Sequence, residues 1–490
     1  MRYAFLIAFG LMAATPAAAA TYQKAPCPVT VAPNEAIECG KLTVPENRNK
    51  PNGRTLDLAV EIFKSLSATP AADPVIFLPG GPGGSAARQK SGVNNPFLDD
   101  RDYILLEPRG AKFSSVDLEC PKINAIKGEI SAGHLTPKAA DMALAAAAAD
   151  CRAGWVAKGV DLDGYTSAET ADDIDDLRQA LGIKQWNVFG HSYGTRLALT
   201  VLRDHPDGVR SVMLDSVLSP EANFDESAIA NFKRPLRGIF DACAADTVCN
   251  SAHPHLQRTF YALVGAAEKA PLQLATPIIG SDGAPVTVNG AVVADAIYSE
   301  LHNPPQIGAI PAIIDDAAHG KTDSLAALIK DNQGPSNFIW GLRLSVWCGE
   351  EMPFEDPAKV EAQTAASQRL GGLDERTASE AMCKAWNVAR ADAREALAVK
   401  SDVPILILSG EYDPDTPPDW GLALEEGDPN ARAILFGGQS HGAAFNRCGG
   451  QIETAFLRDP TIYLHATSQP DCVAAMPVPN FRVSATGTKS

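Results

Sequence analysis

The sequence predicts an α/β fold: a mostly parallel sheet with helices on both faces, interrupted by a large inserted helical lid. Three observations lead there. Short, fully apolar runs such as "PVIFL", "DYILL", "SVML" and "VPILIL" read as strands buried on both faces rather than one. These runs alternate with helical patterns, the rhythm of a parallel sheet wrapped by its crossover helices. That rhythm breaks between about residue 220 and residue 400, where helical patterns dominate, prolines are scattered and four of the ten cysteines fall. The expected core is therefore residues 21–220 and 400–490, with residues 221–399 inserted as the lid. A chain of 490 residues, 45% of them hydrophobic, is long enough to build such a core.

The first twenty residues, "MRYAFLIAFGLMAATPAAAA", have the order of a secretory signal: Arg2, an apolar stretch, then Ala18-Ala19-Ala20 before Thr21. The apolar stretch is short for a bilayer span, so cleavage and export to the periplasm or the extracellular space are expected. "TLDLAVEIFKS" (55–65) alternates like a strand. "PVIFLPGGPGGS" (74–85) is a strand running into a glycine-rich turn, and "DYILLEPRGAKFSS" (102–115) is another strand followed by a polar loop. "TSAETADDIDDLRQALG" (166–182) reads as a helix: Thr166 and Glu169 have capping-box spacing, acids crowd the first turns and Gly182 ends it. "QWNVFG" and "SVMLDS" are strands with the helix "TRLALTVLRDHP" between them; "VPILILSG" (403–410) and "ARAILFGG" (431–438) complete the set.

The ten cysteines fit export. With no zinc-like pairing of C-x-x-C units, disulfides are the expected state, and neighbours in sequence are expected to pair, from Cys27–Cys39 through Cys448–Cys472, because those loops are local. A formal net charge of −17 argues against nucleic acid or an anionic membrane surface as a partner. Composition does not bear on oligomeric state.

The pattern G-x-S-x-G occurs twice, around Ser192 in "NVFGHSYGTRLAL" and around Ser440 in "GGQSHGAAF", so context has to choose. Ser192 lies between a strand and a helix, where a sharp turn exposes the hydroxyl at the sheet's carboxyl edge. Its base and the acid that orients the base should follow in the order Ser, Asp or Glu, His. Asp413 in "GEYDPDTPP" and His441 in "SHG" each lie just past a strand. Ser440 has no such company and is read as the residue beside the base. The expected oxyanion donors are the backbone N–H of Tyr193 and one from "PGGPGG", Gly81 before Gly80.

"PGGPGGS", "GHSYGT", "GEYDPDTPP" and "SHG", in this order and spacing, resemble the proline iminopeptidase and tripeptidyl aminopeptidase group of α/β-hydrolases. "CGKLTVPENRNKPNGRTLDLAV" near the start and "CGGQIETAFLRDP" near the end resemble its tripeptidyl branch, so the likeness spans most of the mature chain. The resemblance implies the α/β-hydrolase fold, Ser192, Asp413 and His441 as the triad, and a lid between residues 220 and 400. Two positions depart from the proline iminopeptidase pattern. Pro79 stands where histidine is usual, and "EPRGAKFS" replaces D-x-R-G-x-G-x-S through Glu107 and Lys112.

An aminopeptidase has to recognise a protonated α-amine. Glu350 and Glu351 in "VWCGEEMPF" are the candidate carboxylates, in a stretch that resembles a lid segment of the tripeptidyl branch. Trp347, Trp386 and Phe354 are candidate pocket walls or core residues. Asp215 is the rival triad acid, Arg109 is expected to be a structural donor, and His253 and His255 in "HPH" are expected in a solvated loop. The expected function is a secreted serine hydrolase needing no metal or cofactor, an aminopeptidase releasing one to three residues from small peptide substrates. An esterase with the same triad is the alternative. A binding protein on a dead hydrolase fold would show a missing triad member, and none is missing.

Overall fold

The computed structural model describes residues 20–31, 35–50, 53–87, 95–334, 338–476 and 479–484; of the expected leader all but Ala20 lies outside this set. The described strands form one sheet in the order β1-β2-β3-β5-β4-β6-β7-β8-β9. They are β1 (Thr21–Lys24), β2 (Ile37–Pro45), β3 (Thr55–Phe63), β4 (Val75–Leu78), β5 (Tyr103–Leu106), β6 (Trp186–His191), β7 (Val209–Asp215), β8 (Ile405–Gly410) and β9 (Ala431–Phe436). From β5 to β9 every pairing is parallel, whereas β1, β2, β3 and β5 pair antiparallel.

The central strands are buried on both faces, which is why they read as continuous apolar runs: β4, β5 and β8 have no exposed residue. Each fully buried Val, Leu or Ile there contributes about 1.5–3 kcal/mol. Beneath β4 and β6, Phe77, Phe97, Tyr103 and Phe189 form an aromatic cluster with centroids 5.4–6.2 Å apart. β1 and β2 were not evident from the sequence. In β2 the apolar alternation is broken by Cys39, Gly40 and Lys41, so periodicity is weak there.

Between β7 and β8 the chain runs through helices, and these divide between two cores. Residues from Ile229 to Ile329 build a separate helical core, centred on Phe232, Phe260 and Ile310. The helix Trp340–Glu350 and the helix Glu380–Trp386 instead pack into the core that includes the sheet, with Trp347 and Trp386 buried. Two further helices, Pro121–Ser131 and Pro137–Ala157, arise between β5 and β6 and pack on that same side. Five disulfides join Cys27–Cys39, Cys120–Cys151, Cys243–Cys249, Cys348–Cys383 and Cys448–Cys472 among the described residues, each between sequence neighbours as expected. No described helix is long and apolar enough to cross a membrane.

Candidate active site

Ser192 follows β6 and opens the helix Tyr193–Asp204 with φ 56° and ψ −127°, a strained conformation for a residue with a side chain. The turn depends on its glycines. A Cβ on Gly190 would lie 2.3 Å from the Gly194 carbonyl oxygen, and one on Gly194 would lie 2.1 Å from that of Leu78. Thr195 Oγ1 donates to the Ser192 carbonyl at 2.6 Å and accepts from Leu218 N at 2.8 Å, tying the turn to the end of β7.

Asp413 lies three residues past β8 and His441 five past β9, so both stand at the carboxyl edge of the sheet with Ser192. His441 Nδ1 is 2.9 Å from Asp413 Oδ2. Asp413 is fully buried, and its carboxylate also accepts from Thr416 Oγ1 at 2.7 Å and from the backbone N–H groups of Asp415 and Thr416. Burial pushes the His441 imidazolium down, but the Asp413 carboxylate, helped by Asp415 and Asp215, outweighs it and raises the ring to about 9. Ser192 and His441 line one cavity of about 1080 Å³.

The rival acid is placed elsewhere. Asp215 Oδ2 lies 3.8 Å from His191 Nδ1 and accepts from Ala444 N at 3.3 Å, while burial raises its carboxyl to about 7. His191, next to Ser192, is pushed down to about 3 by burial and by the nearby His441, and is neutral. Ser440 is fully buried, with its hydroxyl donating to the Tyr412 carbonyl, and has no access to substrate.

Gly80 and Gly81 both line the cavity. Gly80 faces Ser192 directly: a Cβ there would be 3.0 Å from the Ser192 Cβ. Glu107, one of the departures noted above, supports the far end of this loop. Its Oε2 accepts from Ser85 Oγ at 3.0 Å and from the N–H groups of Ala86 and Ala87, and its Oε1 accepts from Phe113 N. Arg109 is fully buried and structural, donating to both carboxylate oxygens of Asp173 at 2.7 and 2.6 Å.

Glu350 and Glu351 are not among the residues lining the cavity. Glu350 accepts from Ser167 N and Ser167 Oγ, both at 2.6 Å, and Ser167 Oγ in turn bonds the Tyr193 hydroxyl at 2.7 Å. Glu351 pairs with Arg196 on the helix that follows Ser192. A glutamate pair beside a lid cysteine suggested amine binding; the structure spends both carboxylates on joining the helix Trp340–Glu350 to the core. Trp347 does line the cavity, whereas Trp386 donates to Ser345 Oγ in the interior and Phe354 lies under Arg390. His253 corrects the expectation of a solvated loop: it is buried, with Nε2 3.0 Å from the Arg482 carbonyl and Nδ1 3.3 Å from Asp315, while His255 is exposed.

The cavity has acids that the sequence reading missed. Asp374, Glu375 and Asp415 all line it. Asp374 is held by Arg376 at 2.7 Å. Burial, reinforced by Asp295 and Asp415, pushes the Glu375 carboxyl well above the usual carboxylate range. Asp415 lies 3.9 Å from His441 Nε2, is 3.0 Å from His302 Nε2 and accepts from the Tyr298 hydroxyl. Lys127, Glu129 and Ser131, on the helix Pro121–Ser131, close another side. Asp413, Asp415 and His441 present atoms within 4.8 Å of one another, a spacing a metal ion could use, but those atoms already bond one another or His302 and Tyr298.

A family model described as alpha/beta hydrolase fold matches residues 73–447, and the chain belongs to that family. The tripeptidyl aminopeptidase of Streptomyces lividans is 26% identical over 476 residues, covering 89% of this chain and 85% of the relative. The serine protease Hip1 of Mycobacterium tuberculosis strain H37Rv is 24% identical over 454 residues, covering 86% of this chain and 84% of its own. The proline iminopeptidase of Arabidopsis thaliana is 30% identical over 158 residues, 32% of this chain and 30% of its own. With these relatives the chain is a serine hydrolase.

Proposed function

We propose that the chain is an exported serine aminopeptidase that cuts one to three residues from peptides with a free amino terminus. The observation that carries the reading is the convergence of a strained, glycine-bracketed Ser192 and the 2.9 Å His441–Asp413 pair on one acid-lined cavity. The names of the full-length relatives favour a peptide over an ester. Ser192 Oγ attacks the scissile carbonyl while His441 Nε2 takes its proton and Asp413 holds the imidazole at Nδ1. The Tyr193 N–H and an N–H of Gly80–Gly81 receive the oxyanion, with Gly80 favoured over Gly81 by its contact with Ser192. His441 then protonates the leaving amine, and water resolves the acyl-enzyme. The segment 221–399 acts as the lid, joined by the helix Pro121–Ser131.

Glu375 replaces Glu350 and Glu351 as the carboxylate that meets the substrate ammonium. Burial, with the acids Asp295, Asp415 and Asp374 close by and Lys127 opposing, holds its carboxyl well above the usual carboxylate range. A substrate ammonium adds a counter-charge that favours the ionised carboxyl and forms a charge-assisted bond with it. The test of the nucleophile is Ser192→Ala, which should abolish both turnover and covalent labelling by a fluorophosphonate. Labelling that persists in this variant would place the nucleophile elsewhere. Cleavage of simple esters with no cleavage of peptide anilides would favour the esterase.

A further inference from the structure

The aromatic wall of the cavity also grips the glycine loop that faces Ser192. The helix Trp340–Glu350 begins just after Ile339, whose backbone N–H donates to the Gly83 carbonyl at 2.9 Å. One turn further, Arg343 Nη1 donates to the Gly81 carbonyl at 2.9 Å and reaches the Pro82 carbonyl at 3.4 Å. Its Nη2 donates to Thr377 Oγ1 at 3.2 Å. The two segments are in close contact, since a Cβ on Gly83 would lie 2.7 Å from the Ile339 carbonyl oxygen.

Arg343 is an unusual residue to find there. It lines the cavity with its guanidinium 4.6 Å from the Phe338 ring, 5.6 Å from Trp347 and 5.7 Å from Trp340. Its Nε is buried without a hydrogen-bond partner among the described residues. The nearby carboxylate of Asp225 is engaged by Trp347 Nε1 at 3.0 Å and Thr377 N at 2.9 Å. Burial pushes the guanidinium down, with Asp225 opposing, to about 10, so it remains charged at neutral pH. A desolvated cation bonded to backbone carbonyls is a costly way to hold two segments together. What it provides is a rigid fork that fixes the plane of what it binds. Gly81 has φ +132°, a region that only glycine enters readily, and has no side chain of its own to fix it. Its orientation is therefore set by what its carbonyl is bonded to.

We propose that Arg343 is a positioning residue for the oxyanion loop: by fixing the Gly81 backbone from the lid side, it aligns the loop's donors with the reacting carbonyl. The donors are then in place only while the helix Trp340–Glu350 is seated, which makes the lid part of the catalytic geometry. This inference rests on the reading of Ser192 as nucleophile and of residues 80–81 as oxyanion donors.

The test compares a peptide aldehyde with the matching peptide alcohol as inhibitors of the mature enzyme, alongside kcat and KM on an anilide. The aldehyde accepts Ser192 Oγ at its carbonyl carbon: the C–O bond forms, the carbonyl π pair moves to oxygen, and His441 takes the serine proton. That oxygen sits where the oxyanion would, whereas the alcohol makes no such adduct. Arg343→Gln should lower kcat by about 10²-fold, the scale of losing one oxyanion donor, with KM changed less than about threefold. It should weaken aldehyde binding by a similar factor and leave alcohol binding unchanged. Arg343→Lys, which keeps one donor for the Gly81 carbonyl, should recover about tenfold of the loss, a partial rescue because the fork is gone. Thr377→Val, which removes only the Nη2 acceptor, should give a smaller, aldehyde-selective loss of roughly three- to tenfold and decides the matter if Arg343→Gln does not fold. Equal losses of aldehyde and alcohol affinity, or kcat within twofold of the parent, would overturn the proposal. A parent enzyme with no preference for the aldehyde, or Ser192→Ala that retains the preference, would instead overturn the nucleophile reading beneath it.

Discussion

At the residue scale the reactivity of the site turns on His441, a ring with a carboxylate at each nitrogen. Asp413 is 2.9 Å from Nδ1 and Asp415 is 3.9 Å from Nε2. His302 at 6.0 Å and His191 at 5.0 Å between ring centroids face it as well, with Asp215 behind His191. His441 has its folded-state pKa raised from 6.5 to about 9, so its ion pair stabilises the fold fully below 6.5 and that contribution is lost as pH rises through about 9. The proposed catalysis runs the other way, because only a neutral ring could accept the Ser192 proton. The acid limb of kcat/KM should therefore lie above 6.5, and it belongs to the coupled cluster rather than to one ring. Asp415→Asn removes one of the carboxylates that raise the ring and should move that limb toward lower pH. A pH profile of kcat/KM for both proteins checks this, and a limb that stays in place would show that Asp415 has no influence on the base. Glu375→Gln should raise KM for peptides with a free amino terminus by about 10-fold or more, the scale of one charge-assisted bond, while leaving acetylated peptides unaffected. Steady-state kinetics on the two series checks it.

At the level of elements, the parts of the site that follow strands were legible. Ser192, Asp413 and His441 each stand just past a fully or mostly apolar run, so a local pattern marked both the strand and the residue beyond it. The cavity's acids were not legible, because Asp374 and Glu375 lie in a loop with no periodicity and reach the cavity only through long-range packing. Asp415 had a faint signal, two residues past the expected triad acid. His302 and Tyr298 share one face of the helix Gly290–Leu301 and its cap, and only the tertiary fold brings that face to Asp415. Glu350 and Glu351 show the opposite error: acids next to a lid cysteine, yet committed to Ser167 and Arg196. Because Arg196 and Glu351 are both buried, Glu351→Gln removes the nearer counter-charge of the guanidinium and leaves only Glu350, 3.9 Å from its Nε, so it should destabilise the fold by about 3 kcal/mol. Urea unfolding measures it, and a loss below about 1 kcal/mol would show that Arg196 is satisfied by its bonds to the Glu395 and Glu350 carbonyls.

On the scale of the whole molecule, five local disulfides and three hydrophobic cores among the described residues divide the work. The mostly parallel sheet with its interleaved helices followed from the alternation of patterns, and pairing of neighbouring cysteines followed from locality. How the insertion splits did not, because a buried helix reads alike whichever core receives it. Cys348–Cys383 spans 35 residues and encloses Asp374 and Glu375, so it ties the loop proposed to bind the amine to the helix that carries Arg343. Replacing both cysteines by serine should lower stability by roughly 2–4 kcal/mol and impair KM more than the other four replacements. Thermal unfolding together with kinetics checks both parts. The measurement that goes most directly to the central claim is kcat/KM on anilides of one, two and three residues, each with a free and an acetylated amino terminus, with Ser192→Ala as the blank. Cleavage should depend on Ser192, with a strong preference for the free amine at whichever length fits best. Equal cleavage of acetylated and free substrates, or cleavage of esters alone, would contradict it.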